Sequence, residues 1–378
     1  MSRFVAFATA LLLLSIPSHA AAQAEMPFDA LARRAAAARE TGRLVEALAL
    51  YQQGVEMRPD WDEGLWYVGS LLYELERWPE AIEAFNQVIA RQPSHAGAVG
   101  LRGLCEFQAG RHEDALRSLL RSRALGIAGT PEVATVVRYH AGILLTRVGE
   151  FEIGYTVLSE FAKENTESPR VLDALGLNLL RRPILPRDIA PADAPVVRLA
   201  GQAAYAMGAR RAAQAAQLLD ELVTKHPDVP NVHYARGIFR LTESPATALE
   251  DFRREIARDP AHVPARLQIA FELIRQGSAA DARPFASEVI RLAPKHFAGH
   301  LALGQALLEL DDVAASIASL ERAVQLAPGS PQCRFMLARA YARAGRREDA
   351  ERERREFTRL QQLASEGLGA IGGVSMHP

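Results

Sequence analysis

Apolar residues in the stretch Phe297 to Ser330, FAGHLALGQALLELDDVAASIASLERAVQLAPGS, recur every three or four positions and never alternate. Leu301, Leu303, Ala306, Leu307 and Leu310 form one stripe; Val313, Ile317, Leu320, Val324 and Leu326 form a second. That spacing predicts two helices with a tight break between them, and excludes strands. Asp311 and Asp312 fall at the break, where a carboxylate can cap the free N–H groups of the second helix. Pro328 and Gly329 end that helix, because proline cannot continue the hydrogen-bond ladder and disfavours helix in the residue before it. A lone helical hairpin cannot bury both stripes, so the segment needs neighbours of its own kind.

The neighbours come at a fixed period. Helix-ending prolines stand at Pro59, Pro93, Pro227, Pro260, Pro294 and Pro328; three of the steps between them are 34 residues and the step from Pro227 to Pro260 is 33. Twelve residues before these prolines lie Ala47, Ala81, Ala215, Ala248, Ala282 and Ser316, small residues that let two helices cross closely. Eight before them lie Tyr51, Phe85, Leu219, Phe252, Ala286 and Leu320, mostly bulky residues that fill the space beside the crossing. Gly69, Gly103, Gly142, Gly176, Ala203, Ala270, Gly304 and Ala338 mark a further close approach, near the eighth position of each first helix. This pattern resembles the tetratricopeptide repeat over nearly all of residues 28–360. The resemblance implies an all-α fold, a right-handed solenoid (superhelix) of helical hairpins.

The register gives a signal-like segment at 1–24 and an N-terminal array at 25–180 of about four repeats plus one lone helix. A connector follows at 181–195, then a C-terminal array at 196–364 of about five repeats and a tail at 365–378 expected to be disordered. The third repeat has Ile127 where the closing proline is expected, and the fourth has Gly154 at the close crossing. Glycine there costs about 1 kcal/mol of helix propensity, which predicts a looser pair. Val171 to Leu180 reads as a first helix with no second. The connector, RRPILPRDIAPADAP, excludes a continuous helix. Its apolar Ile184, Leu185 and Ile189 argue that it packs along the array, where a free linker would be polar. The unit at 229–262 is one residue short, the loss falling between Leu241 and Pro245.

The first residues change the expected setting. Arg3, the apolar run from Phe4 to Ile16 and small residues up to Ala24 fit an export leader cleaved after Ala20, Ala22 or Ala24. The apolar run is short of the roughly 20 residues of a membrane span. The expectation is an exported protein, periplasmic or secreted, with no stable membrane insertion once the leader is removed. With 44 basic and 45 acidic side chains the net charge is −1, which gives no field for nucleic acid. Cys105 and Cys333 lie several repeats apart, too far for a disulfide if helices stack at 8–10 Å.

No motif carries catalysis. Gly367-Leu-Gly369-Ala-Ile-Gly372 matches the dinucleotide fingerprint in letters but lacks the strand that must precede it. His296 and His300 have ligand spacing without a third donor, so no metal and no cofactor is expected. What remains is the inner surface. The resemblance implies that positions 2, 5, 9 and 12 of each first helix face a concave groove. On that count the groove residues are Trp66, Tyr73, Leu104, Phe107, Tyr139, Leu267, Phe271, Leu301, Gln305, Leu308, Phe335 and Arg339. Trp66, Tyr73 and Phe107 are expected to form one aromatic wall. Family members that clamp a C-terminal carboxylate use lysine, arginine and asparagine at these positions, and this chain departs from that pattern. A surface this apolar implies either an apolar peptide or helix of a partner protein, or residues that touch each other or the connector. The expected function is a non-catalytic protein–protein interaction scaffold of the cell envelope. The alternative is a small-molecule carrier or enzyme with a pocket inside the superhelix.

Overall fold

The computed structural model describes residues 26–126 and 131–365; the stretch expected to be a leader, Ile127 and the tail expected to be disordered lie outside the described residues. Within them the chain forms nineteen α-helices, one 3₁₀ turn and no strand. It divides into two compact units, residues 1–94 and 95–378.

The first unit is two hairpins: α1 (Phe28–Glu40) with α2 (Leu44–Met57), and α3 (Asp62–Glu74) with α4 (Trp78–Arg91). Ala47 and Ala81 are fully buried at the crossings, and Tyr51 and Phe85 fill the space beside them, as the small/bulky pattern requires. Trp61 seals the joint between the hairpins. It stacks on Tyr51 at 5.4 Å and meets Phe28 edge-on at 5.1 Å. A methyl group on Gly64 would collide with the same indole.

The second unit opens with α5 (Ala96–Gln108) and α6 (His112–Ala124), then α7 (Pro131–Arg147) and α8 (Phe151–Lys163). After α9 (Pro169–Leu179) and the connector come α10 (Ala194–Gly208) with α11 (Ala212–Lys225), and α12 (Val232–Arg240) with α13 (Pro245–Arg258). Three further hairpins follow: α14 (Val263–Arg275) with α15 (Ala279–Leu292), α16 (Phe297–Glu309) with α17 (Val313–Leu326), and α18 (Pro331–Arg343) with α19 (Arg347–Ser365). Asp312 caps α17 through the Ala315 N–H at 3.2 Å, while Asp311 takes the left-handed turn position before it. All the other hairpin turns but one place one residue in that left-handed region, from Gly42 to Gly345. The turn from α12 to α13 has none, so the residue missing from this repeat is the left-handed one.

The helix expected to stand alone has a partner. α9 packs against α10, backbone to backbone: a methyl on Gly176 would run into the Val197 carbonyl, and one on Gly201 into the Leu172 carbonyl. Val196, Val197, Leu177 and Leu180 close the core around this crossing. The connector is packed, with Leu185 buried and Ile184 and Ile189 against the same core. Gly154 also differs from expectation. Its missing side chain leaves room for the buried amide of Asn178, which donates to Thr146 Oγ1 at 3.0 Å and to the Phe151 carbonyl at 2.9 Å. The glycine therefore admits a hydrogen-bonded tie from α9, and is more than a weak helix former.

The shortened repeat carries a buried ion network. Arg236 on α12 forks onto Asp251 on α13 at 2.9 and 2.6 Å and reaches Asp220 on α11 at 3.1 Å. Arg240 adds a 2.5 Å bond to Asp220. Burial acts to raise the pKa of Asp251, and His233, Arg236 and Arg240 hold it below the ordinary carboxylate value.

Two outcomes test this packing. Gly201→Ala should destabilise by about 1–3 kcal/mol, despite alanine's better helix propensity, because the methyl meets backbone. Gly329→Ala, with open space around the site, should stay within about 0.5 kcal/mol in the same denaturant titration. Asp251→Asn should destabilise by about 1–3 kcal/mol at neutral pH, because Arg236 loses its charged buried partner and keeps only Asp220. A depressed carboxylate stabilises above its unfolded pKa of about 3.9 and stops doing so as pH falls through its folded value. Thermal melts below about pH 4 should therefore separate wild type from the variant less than melts at pH 7 do.

Candidate functional site

Two clefts open in the second unit. The larger, about 730 Å³, is bounded by the start of α8, the end of α9, α12, α14 and the residue before α16. Its centre is Arg181, which sits at positive φ where the chain leaves α9. The guanidinium lies over Phe151 at 4.5 Å and Tyr234 at 5.5 Å, and pairs with Glu152 at 2.7 Å. Stacking and pairing together fix a side chain that would otherwise be free. Tyr155 donates to the Ala204 carbonyl at 3.2 Å. Burial pushes both Tyr155 and Tyr234 up to about 12, so each stays a neutral phenol. Around these groups the lining is apolar, with Ile153, Met207, Ile238 and Leu267. His296 also lines this cleft. It stands just before α16 without capping it, and its Nδ1 is buried with no partner. Burial lowers its pKa.

The smaller cleft, about 390 Å³, is one that the repeats alone would not make. Phe107, Tyr139, Ile143 and Phe161 supply apolar wall from α5, α7 and α8, and the connector closes it with Leu185, Pro186 and Arg187. Arg187 lies 5.8 Å from the Phe107 ring, and His140 meets that ring edge-on at 4.6 Å. His140 Nδ1 bonds the Val136 carbonyl at 2.8 Å, which places its proton on that nitrogen. Burial lowers the His140 pKa, and the Arg170 charge lowers it further against that hydrogen bond. Arg170, exposed on the first turn of α9, completes the lining.

The twelve positions read as groove residues divide by environment. Phe107 and Tyr139 line the smaller cleft and Leu267 the larger. Leu104, Phe107, Leu267, Leu301 and Leu308 are buried. Leu301 and Leu308 share a core with Met336 and Tyr341 of α18, since the next first helix covers positions 5 and 12. Trp66, Tyr73, Tyr139, Phe271 and Gln305 are half-buried. In the first unit Trp66 tilts against Phe85 at 5.8 Å and Tyr73 meets Trp78 edge-on at 5.6 Å. Phe335 is 44% exposed and pairs with Phe357 at 5.4 Å, and Arg339 is exposed beside it on α18. Sequence reasoning missed Arg170, Arg181 and Arg187. Counting from Gly176 as position 8 makes Arg170 position 2 of its helix, so the repeat rule could have found it. Arg181 and Arg187 lie in the break, where no repeat rule applies.

Among the described residues no group of three His, Cys, Asp or Glu could hold a metal ion, and no helix is long and apolar enough to cross a membrane. Both cysteines are free and buried, and burial pushes the Cys105 thiol up to about 12. The family model of the tetratricopeptide repeat matches residues 69–127 and 267–331. Those two stretches are tetratricopeptide repeats. Tetratricopeptide repeats serve in general as protein–protein interaction scaffolds, and this chain shares that general role. The comparison with curated proteins gives no match. Among solved structures, a MamA double mutant of strain RS-1 is 17% identical, covering 45% of this chain and 97% of its own, with a TM-score of 0.42. MamA of strain AMB-1 is 23% identical, covering 42% and 94%, at 0.37. MamA from residue 41 onward of Desulfovibrio magneticus RS-1 is 19% identical, covering 45% and 96%, at 0.39. At these identities and scores nothing about this chain rests on them.

Proposed function

We propose that this tetratricopeptide-repeat chain is a non-catalytic scaffold of the cell envelope, and that an apolar peptide or helix of a partner protein lies in the larger cleft. The observation that carries this reading is how the polar groups of that cleft are used. Arg181 is spent on Glu152, Asn178 on Thr146 and the Phe151 carbonyl, and Tyr155 on the Ala204 carbonyl. Catalysis by acid–base chemistry needs such groups free and convergent on one reacting atom. Here these three brace the walls, while His296 keeps an unpartnered ring nitrogen, and the apolar lining a ligand meets is Ile153, Met207, Ile238 and Leu267. Apolar side chains at alternate turns of a partner helix suit such a surface. Trp66 and Tyr73 offer a second apolar contact on the first unit, half-buried and braced by neighbouring rings.

The envelope location rests on the leader pattern of Met1 to Ala24, and N-terminal sequencing of the purified protein tests it. A start near Ala21, Gln23 or Glu25 is the expected result, and a cytosolic product starting at Met1 or Ser2 would overturn it. Partner binding is tested by affinity capture from the envelope fraction with mass spectrometry. Ile153→Ser and Tyr73→Ala should each weaken the captured interaction at least about tenfold, equivalent to 1.4 kcal/mol, with the thermal melt little changed. Normal capture by both variants would place the partner elsewhere.

A further inference from the structure

We propose that the smaller cleft, the one walled by the connector, binds a small amphipathic carboxylate: an aliphatic acid whose chain enters the cleft and whose carboxylate lies between Arg170 and Arg187. A volume of about 390 Å³ is within the range of small-molecule sites. The walls are apolar, with Phe107, Tyr139, Ile143, Phe161 and Leu185. The charge is one-sided. Two guanidiniums line the cleft and no aspartate or glutamate does.

Neither guanidinium is neutralised at close range. Among the described residues Arg170 makes no ion pair, and Arg187 has only Asp188, at 4.0 Å with both side chains largely exposed. The contrast with the larger cleft is chemical, since Arg181 there is held at 2.7 Å by Glu152. Two uncompensated cations at one apolar cavity favour an anion, and the planar guanidinium fork matches a carboxylate. His140 and Tyr139 are both neutral at physiological pH and add no opposing charge. The connector decides the matter structurally. It breaks the repeat, yet its Leu185 is buried and its Arg187 reaches over Phe107. An insertion that served only to link two repeats would not need a cation held at the edge of a cavity.

The test is titration calorimetry of the whole protein with decanoate below its micelle concentration, alongside decanol and acetate. Decanoate should bind saturably at one site, at least tenfold more tightly than decanol, and acetate should not bind measurably. Arg170→Gln and Arg187→Gln should each weaken decanoate at least tenfold and leave decanol unchanged. Both arginines are exposed, so the variants should fold, and circular dichroism melts check that they do. Equal affinity for decanoate and decanol, or decanoate binding that ignores both substitutions, would overturn the proposal, as would no binding by the folded wild type. Because these residues lie outside the larger cleft, partner capture by the arginine variants should be normal. Loss of capture by the folded arginine variants would count against placing the partner in the larger cleft and leaves the decanoate outcomes to decide this proposal.

Discussion

Two helices can approach to backbone contact only where their side chains shrink to a methyl or a hydrogen, and this constraint governs every hairpin in the chain. Ala47, Ala81, Ala115, Ala215, Ala248 and Ala282 meet it with alanine, all fully buried. Most are flanked by a larger group, such as Phe85 or Phe252, whose ring occupies the space a second large residue would need. Removing water from these rings supplies the favourable free energy, and the small residue makes the geometry possible. The strictest case is the crossing of α9 with α10. There each helix presents a glycine to a carbonyl of the other, Gly176 to that of Val197 and Gly201 to that of Leu172. That crossing lets a helix without its own hairpin mate join the array, and it holds the connector's two ends in place.

The connector follows from that crossing. Once α9 and α10 are fixed against each other, the fourteen residues from Leu180 to Asp193 between them have to turn back over the array. Leu185 anchors the loop in the core, and Arg187 is left outside it. On the other side of α9, Arg181 leaves the helix at positive φ and drops between Phe151 and Tyr234. One interruption of the repeat therefore contributes to both clefts. It supplies a wall to the smaller one and the braced cation at the centre of the larger.

The repeating parts were legible from periodicity because each repeat solves the same packing problem with the same residue classes. Ala282 and Leu320 are buried where the register places them, and the residue lost between Leu241 and Pro245 is the left-handed turn residue. The capping role of Asp312 was also readable from composition alone. Legibility failed where a residue answers to a non-repeating neighbour. Gly201 has no counterpart at its position in other repeats, so nothing in the period singled it out. Gly154 looked like a poor helix former, because the amide it accommodates comes from Asn178, 24 positions further on. Leu301 and Leu308 were assigned to an open surface by position number. Their burial depends on how closely Met336 and Tyr341 of the next helix approach, which a count cannot supply.

The two clefts differ in how their charges are balanced, and that difference bears on what each can do. A cation paired at 2.7 Å and stacked on two rings is structural, since withdrawing it for a ligand would break that pair and uncover Phe151 and Tyr234. Such a cleft suits recognition by shape and apolar contact, as proposed for a partner peptide or helix. A cation at an apolar edge with its nearest carboxylate 4.0 Å away and largely solvated has given up little. It can accept an incoming anion without breaking anything. As proposed, shape recognition falls to one cleft and charge recognition to the other, both hung on one break in the repeat, and neither asks anything of the hairpins themselves. They need satisfy only the close crossings that hold the array together.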